Sequence, residues 1–251
     1  MPNLLTHINL ALRVQDRLEH PVLAEHRSSF LLGCTTPDIR AMTKGDRYAT
    51  HFAPYDCAEL RAGMRGMFEA NAHLARADRL PEATRAFLTG FICHLVADHG
   101  WVGQVYQPYF GDRRNMPDAA AAKVWDRALQ LEMDRRAYEE TPPEAYLSMA
   151  GAEDGVNIGF IDSATLKAWR EWVEGFTGRG FSWDRLRFLA RRHQDQAHLT
   201  RARQVADEFL ESVPRGMTRL AEIVPPEALQ RYEAVVVKEA VRCAQEYLAC
   251  V

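Results

Sequence analysis

Apolar residues recur at helical spacing along most of the chain. Leu4, Ile8, Leu12 and Val14 set the pattern over residues 4–19, which Pro21 closes. Leu60, Met64, Met67 and Phe68 mark a second stripe, predicting a helix over 56–77. Pro81 suits a first helical turn, where its fixed φ and missing N–H do no harm, and predicts a third helix running to about residue 109. The same period predicts helices over 118–138, 164–176, 183–213 and 226–249. In the last, Leu229, Tyr232, Val236, Cys243 and Tyr247 share one face, and the valines at 235–237 sit inside that pattern. Gly- and Pro-punctuated loops separate the helices at 33–56, 110–118, 150–160 and 178–182, and Gly33 is placed to end the helix before it. Strand alternation is nearly absent and there is no internal repeat. These signals predict an all-α fold, with residues 1–251 forming one compact multi-helix domain and 150–182 an excursion between helices.

Composition narrows the class without changing the fold. Of 251 residues, 47 % are hydrophobic and 26 % charged, with a net charge of −3, which gives no global attraction to nucleic acid or anionic membranes. No segment approaches the roughly 18 to 20 apolar residues that span a bilayer. The longest, FLTGFICHLVA (87–97), is too short and contains His94. The N-terminus lacks the basic region and apolar run of a signal peptide, so the expectation is a soluble, cytoplasmic protein with no membrane span. Five cysteines, at 34, 57, 93, 243 and 250, form an odd set without C-x-x-C spacing and read as free thiols. The glycine-rich phosphate loops and the G-x-S-x-G elbow are absent, leaving nucleotide-loop and serine-hydrolase chemistry without support. Nothing in the sequence sets the oligomeric state.

The chemistry concentrates in FICHLVADHGW (91–101). His94 and Asp98 lie four residues apart and share an inward face with Phe87 and Phe91. Such a pair can be a hydrogen-bonded core couple. It can also be two ligands reaching one metal ion at about 2.0–2.2 Å. Three earlier features bear on that choice. His7 lies on the apolar side of the first helix with Leu4, Ile8 and Ala11, where a plain core or helix-end histidine also fits. In TTPDI, Asp38 follows Pro37, a place equally suited to a turn or N-cap. In THF, His51 stands beside an aromatic in a long loop.

Taken in order, LLTHINLA, FLLGCTTPDI, THF and FLTGFICHLVADHGW resemble the zinc-dependent phospholipase C family, whose superfamily includes the fungal single-strand-specific nucleases. The resemblance covers roughly residues 3 to 101. It implies an all-helical fold holding a zinc cluster in a cleft. By position, Asp38, His51, His94 and Asp98 would be ligands, Asp98 bridging to a second ion that His7 also holds, and Asp38 would be a candidate general base. The chain departs from the family pattern in three ways. Secreted members use their mature N-terminal amine, whereas this chain starts at Met1. The histidine expected six residues after the bridging aspartate is Gln104, and the later His-x-x-x-Glu or His-x-x-x-Asp is missing. His193 aligns with Leu186, Leu189, Ala190 and Ala197 on the inward stripe of 183–213 and is the best substitute. His198 is turned about 140° from it, and His99 is the other candidate.

The resulting expectation is one or two zinc ions, with iron or manganese admissible because His/carboxylate sites do not fix the metal. The implied activity is metal-dependent hydrolysis of a phosphodiester-like or phospholipid-like ester, the partner being a small-molecule or lipid-like phosphate ester. Two alternatives stand beside it. One is another metal-dependent reaction on a small molecule in specialised metabolism; the other is a non-catalytic helical protein with a vestigial site. Arg40, Lys44 or Arg47, between Asp38 and His51, could stabilise phosphate charge. The arginines at 185, 187, 191, 192, 201 and 203 read as a solvated face without interleaved aromatics, so nucleic acid is not the expected partner. Trp101, Tyr106 and Tyr109 suit either the mouth of a cleft or the core.

Overall fold

A computed structural model describes residues 2–111, 116–147, 149–191 and 196–249. Its α-helices are α1 (Leu4–Leu18), α2 (Pro21–Glu25), α3 (Arg27–Thr35), α4 (Arg40–Thr43), α5 (Tyr48–His51), α6 (Ala62–Ala70) and α7 (Glu82–Trp101). They continue with α8 (Ala119–Glu140), α9 (Glu144–Leu147), α10 (Ser163–Thr177), α11 (Arg185–Ala190), α12 (Gln196–Glu211), α13 (Val213–Ile223) and α14 (Pro226–Leu248). The described residues contain no strand, so the all-α expectation holds. Among the described residues, no helix is long and apolar enough to cross a membrane.

Helix α7 forms the axis, buried from Phe87 to Trp101 and packed against α1, α2, α3, α6 and α14. A second group forms where α8 meets α1, α11 and α12. Polar pins fix α7 within this shell. Trp101 Nε1 donates to Asp126 Oδ1 of α8 at 2.9 Å, and the Tyr232 hydroxyl of α14 donates to the Ala97 carbonyl at 3.2 Å. Each satisfies a buried polar group that would otherwise be costly.

The closest approach is between α3 and α7. A Cβ on Gly33 would fall 1.9 Å from the Phe87 carbonyl oxygen, and one on Gly90 would fall 1.9 Å from that of Phe30. The two glycines let the backbones touch reciprocally. Gly33 therefore lies inside α3 and does not end it, which corrects its reading as a stop.

Three other boundaries differ from the periodicity. The helix expected over 56–77 is only α6, because the Cys57 carbonyl accepts from His99 Nδ1 at 2.8 Å and Asn71 Nδ2 donates to the Met67 carbonyl at the far end. The helix from Pro81 starts one residue later and continues beyond Trp101 as a π-helix, Val102–Gly111, around Pro108. The single helix expected over 183–213 is divided: α11 tightens at Arg191, whose N–H bonds the Leu189 and Phe188 carbonyls, and α12 starts at Gln196. Helix α13 lies outside the expected helices, although Val213, Met217, Leu220 and Ile223 carry the helical period.

Candidate metal centre

Five of the six ligand candidates converge. His7 comes from α1, His51 from the end of α5, and His94 and Asp98 from α7. Asp38 comes from the 3-10 turn Thr36–Ile39 that follows α3. The Thr50 hydroxyl donates to the Pro37 carbonyl at 2.7 Å and so ties the His51 turn to the Asp38 turn. His193, the sixth, lies outside the described residues.

Asp98 sits at the centre, 1 % exposed. Its Oδ1 is 3.4 Å from His7 Nε2, and its Oδ2 is 3.2 Å from His51 Nε2 and 3.6 Å from His94 Nε2. Asp38 Oδ1 lies 3.8 Å from His51 Nε2. Two sets, His7/His94/Asp98 and Asp38/His51/His94, each have their donor atoms within 4.8 Å of one another.

The second ring nitrogens explain why these faces point inward. His94 Nδ1 bonds the Cys34 carbonyl at 2.8 Å, and His51 Nδ1 lies 3.2 Å from the Arg47 carbonyl. A carbonyl only accepts, so Nδ1 carries the proton and the neutral ring turns the Nε2 lone pair to the cluster. The Nε2 atoms of His7, His51 and His94, together with Asp98 Oδ1, are buried with no hydrogen-bond partner. The 3.4 Å approach of His7 to Asp98 is thus an electrostatic contact and not a directed bond. Buried polar groups are rarely left this way in numbers, and four around one point fit the donor set of a cation.

Electrostatics follow the same geometry. Burial alone would raise the Asp98 carboxyl, but the facing His94 and the close contacts of His51 and His7 hold it well below the usual carboxylate range. Burial, then the stacked His94 ring at 3.7 Å, pushes His7 down to about 4. Burial also lowers His51, while on His94 the pull of Asp98 and Asp38 and the bond to the Cys34 carbonyl overcome burial and raise it. One cation already reaches the centre: Arg47 Nη2 is 3.2 Å from Asp98 Oδ2.

A cavity of about 600 Å³ opens beside the cluster, reached by Asp38 and Arg47. Arg40 and Lys44 of the same segment also line it, whereas Arg127, Asp134, Trp172, Phe176 and Arg185 come from α8, α10 and α11. Asp38 is 30 % exposed, enough to meet a ligand there, while the three histidines are nearly sealed off.

The family model for zinc dependent phospholipase C matches residues 6–101. Over that stretch the chain is similar to the zinc-dependent phospholipase C family. No curated protein and no solved structure matches the chain. The match ends at Trp101, so it includes His7, Asp38, His51, His94 and Asp98 and excludes the wall built by α8, α10 and α11.

The departures from the phospholipase C pattern also have definite places. Gln104 is exposed on the π-helix. His99 is turned to the Cys57 carbonyl and His198 is exposed on α12; neither joins a metal-like cluster among the described residues. Trp101 is core, 0 % exposed. Sequence reasoning missed the cavity's second wall. Asp134 and Arg127 sit mid-helix amid charged neighbours, and Arg185 looked like one of six surface arginines. Only the tertiary approach of α11 to α8 turns them to a common space.

Proposed function

We propose that this protein is a metal-dependent hydrolase of phosphate esters, phosphodiester-like or phospholipid-like, working with one or two ions at the His/Asp cluster. The observation that carries this reading is the convergence of unpartnered Nε2 atoms from His7, His51 and His94 on the buried Asp98 carboxylate, beside an open cavity. The residues present fit zinc, for which neutral imidazole and carboxylate are ordinary ligands. Each neutral imidazole has one lone pair and serves one ion, so a second ion would be shared through Asp98, whose two oxygens face different histidines. When bound, the metal supplies Lewis acidity that makes hydroxide available at neutral pH.

The remaining work falls to the chain. Asp38, half-buried and facing the cavity, would accept the proton of the attacking water. Arg47 would hold a non-bridging phosphate oxygen with the guanidinium it now presents to Asp98. Cys34 and Arg47 would fix the tautomers of His94 and His51 through their carbonyls.

A second reading rests on one observation. Arg47 already gives Asp98 a cationic partner, as in a metal-free buried polar network. Metal analysis of protein purified without added metal separates the two. One or more equivalents of zinc, iron or manganese, lost in His94→Ala and Asp98→Ala, supports the hydrolase, and turnover of a chromogenic phosphodiester then follows the metal. A folded wild-type protein that neither carries nor takes up metal overturns it.

A further inference from the structure

We infer that the substrate of this site carries a second acidic group beyond the scissile phosphate, held by Arg185 on the α8/α10/α11 wall of the cavity. The inference rests on the phosphate-ester reading and concerns what else the ester must bear. Five cationic side chains line the cavity, Arg40, Lys44, Arg47, Arg127 and Arg185, against two acids, Asp38 and Asp134. Of the five, only Arg47 contacts a carboxylate among the described residues. Arg127 bonds the neutral Gln130 amide at 2.6 Å, and Lys44 bonds the Ala41 carbonyl. A cleft so lined focuses a positive potential and selects anions.

Arg185 is built for a ligand more than for stability. Its guanidinium lies over the Phe176 ring at 4.4 Å and donates to the Gly180 carbonyl, so its direction is set. Its Nη1 is buried with no hydrogen-bond partner. Asp134 is near enough to be felt electrostatically but forms neither an ion pair nor a hydrogen bond with it. Asp134 instead gives Oδ1 to the Thr6 N–H and hydroxyl, at 3.0 and 3.1 Å. A fixed, desolvated guanidinium edge matches a carboxylate or phosphate group.

The neighbouring aromatics could otherwise suggest a quaternary ammonium site. Arg185 already covers Phe176, and a ligand cation would face like charge from it. Trp172 stacks on Phe176 at 5.1 Å and leaves an apolar surface for the body of the ester between its two acidic ends.

The test is calorimetric binding to the zinc-loaded full chain. The probes are alkylphosphonates of two to six methylenes ending in a methyl, a carboxylate or a second phosphonate, with phosphocholine as the zwitterion. The expected result is that one chain length ending in an acid binds at least tenfold tighter than its methyl-capped analogue and than phosphocholine. In Arg185→Gln that ratio falls to near one, and Arg185→Lys restores part of it. The carboxylate and phosphonate arms decide which acid is preferred. If methyl-capped phosphonates bind and the acids gain nothing at any length, or phosphocholine binds tightest, the second-acid inference falls alone. If no phosphonate binds the zinc-loaded protein, the phosphate-ester reading falls with it. A ratio unchanged in Arg185→Gln overturns the assignment to Arg185.

Discussion

Asp134 is a buried carboxyl whose ionisation the fold resists, and replacing it with Asn tests the electrostatics of the cavity wall. The side chain is 1 % exposed. Burial raises its pKa from 3.8 to about 6, against the opposing pull of Thr6 and Arg185. A carboxyl shifted upward stabilises the fold fully below 3.8, and that contribution is lost as pH rises through the folded pKa. A rise of this size corresponds to about 3 kcal/mol at pH 7 and above. An opposing effect exists, because the charge lies at the amino end of α1 through its bond to the Thr6 N–H. That attraction is already contained in the net shift to about 6, so burial wins and Asp134→Asn should gain about 3 kcal/mol at neutral pH. Asn keeps an Oδ1 acceptor for both Thr6 bonds. The assay is urea unfolding of both proteins between pH 4 and pH 8 in the presence of a chelator. Subtracting one curve from the other cancels the titration of the remaining groups. The difference should be small near pH 4, grow through pH 6 and then level off. A flat difference, or a wild type that gains on the variant as pH rises, refutes the argument.

Two further perturbations test the axis of the fold. Gly90→Ala places a methyl 1.9 Å from the Phe30 carbonyl oxygen and 2.8 Å from the Cys34 nitrogen, so the backbones must separate. The expected loss is about 1–3 kcal/mol, seen as a lower denaturant midpoint; an unchanged midpoint would mean the helices do not touch there. Trp101→Phe removes the donor to Asp126 Oδ1 but leaves Gln130 on Oδ2 at 2.8 Å. A stability loss of about 1–3 kcal/mol is expected from the unpaired buried oxygen, before any packing loss. Urea unfolding reads the loss, and a midpoint equal to that of the wild type would show that the bond to Asp126 carries none of the stability.

The stripes that became α1, α10 and α14 were legible because each has one face in the core, so their period survives in the sequence. The ligand candidates were legible for a related reason. A histidine four residues from an aspartate in an apolar stretch is conspicuous, and His7, Asp38 and His51 precede it in the order of the phospholipase C pattern. What stayed hidden depends on encounters between distant segments. Gly33 carries a stop signal when read locally, yet it is used for its missing Cβ against α7. Arg185 belongs by composition to a surface cluster in which Arg187 pairs with Asp184 and Asp207 and Arg201 with Asp118, but it turns inward. The division between α11 and α12 has no Gly or Pro to announce it. His193 was placed on the inward stripe of that expected helix and lies outside the described residues.

The cavity joins two stretches of chain that are separate in sequence. Every described ligand candidate lies at or before Asp98, whereas Arg127, Trp172, Phe176 and Arg185 all come after the segment that matches the phospholipase C family. Under the proposed function, reactivity and selectivity would therefore be separable for an engineer. Cassettes exchanged between residues 127 and 189 could retarget the pocket to a new ester while the first hundred residues, and the ion chemistry proposed for them, stay as they are.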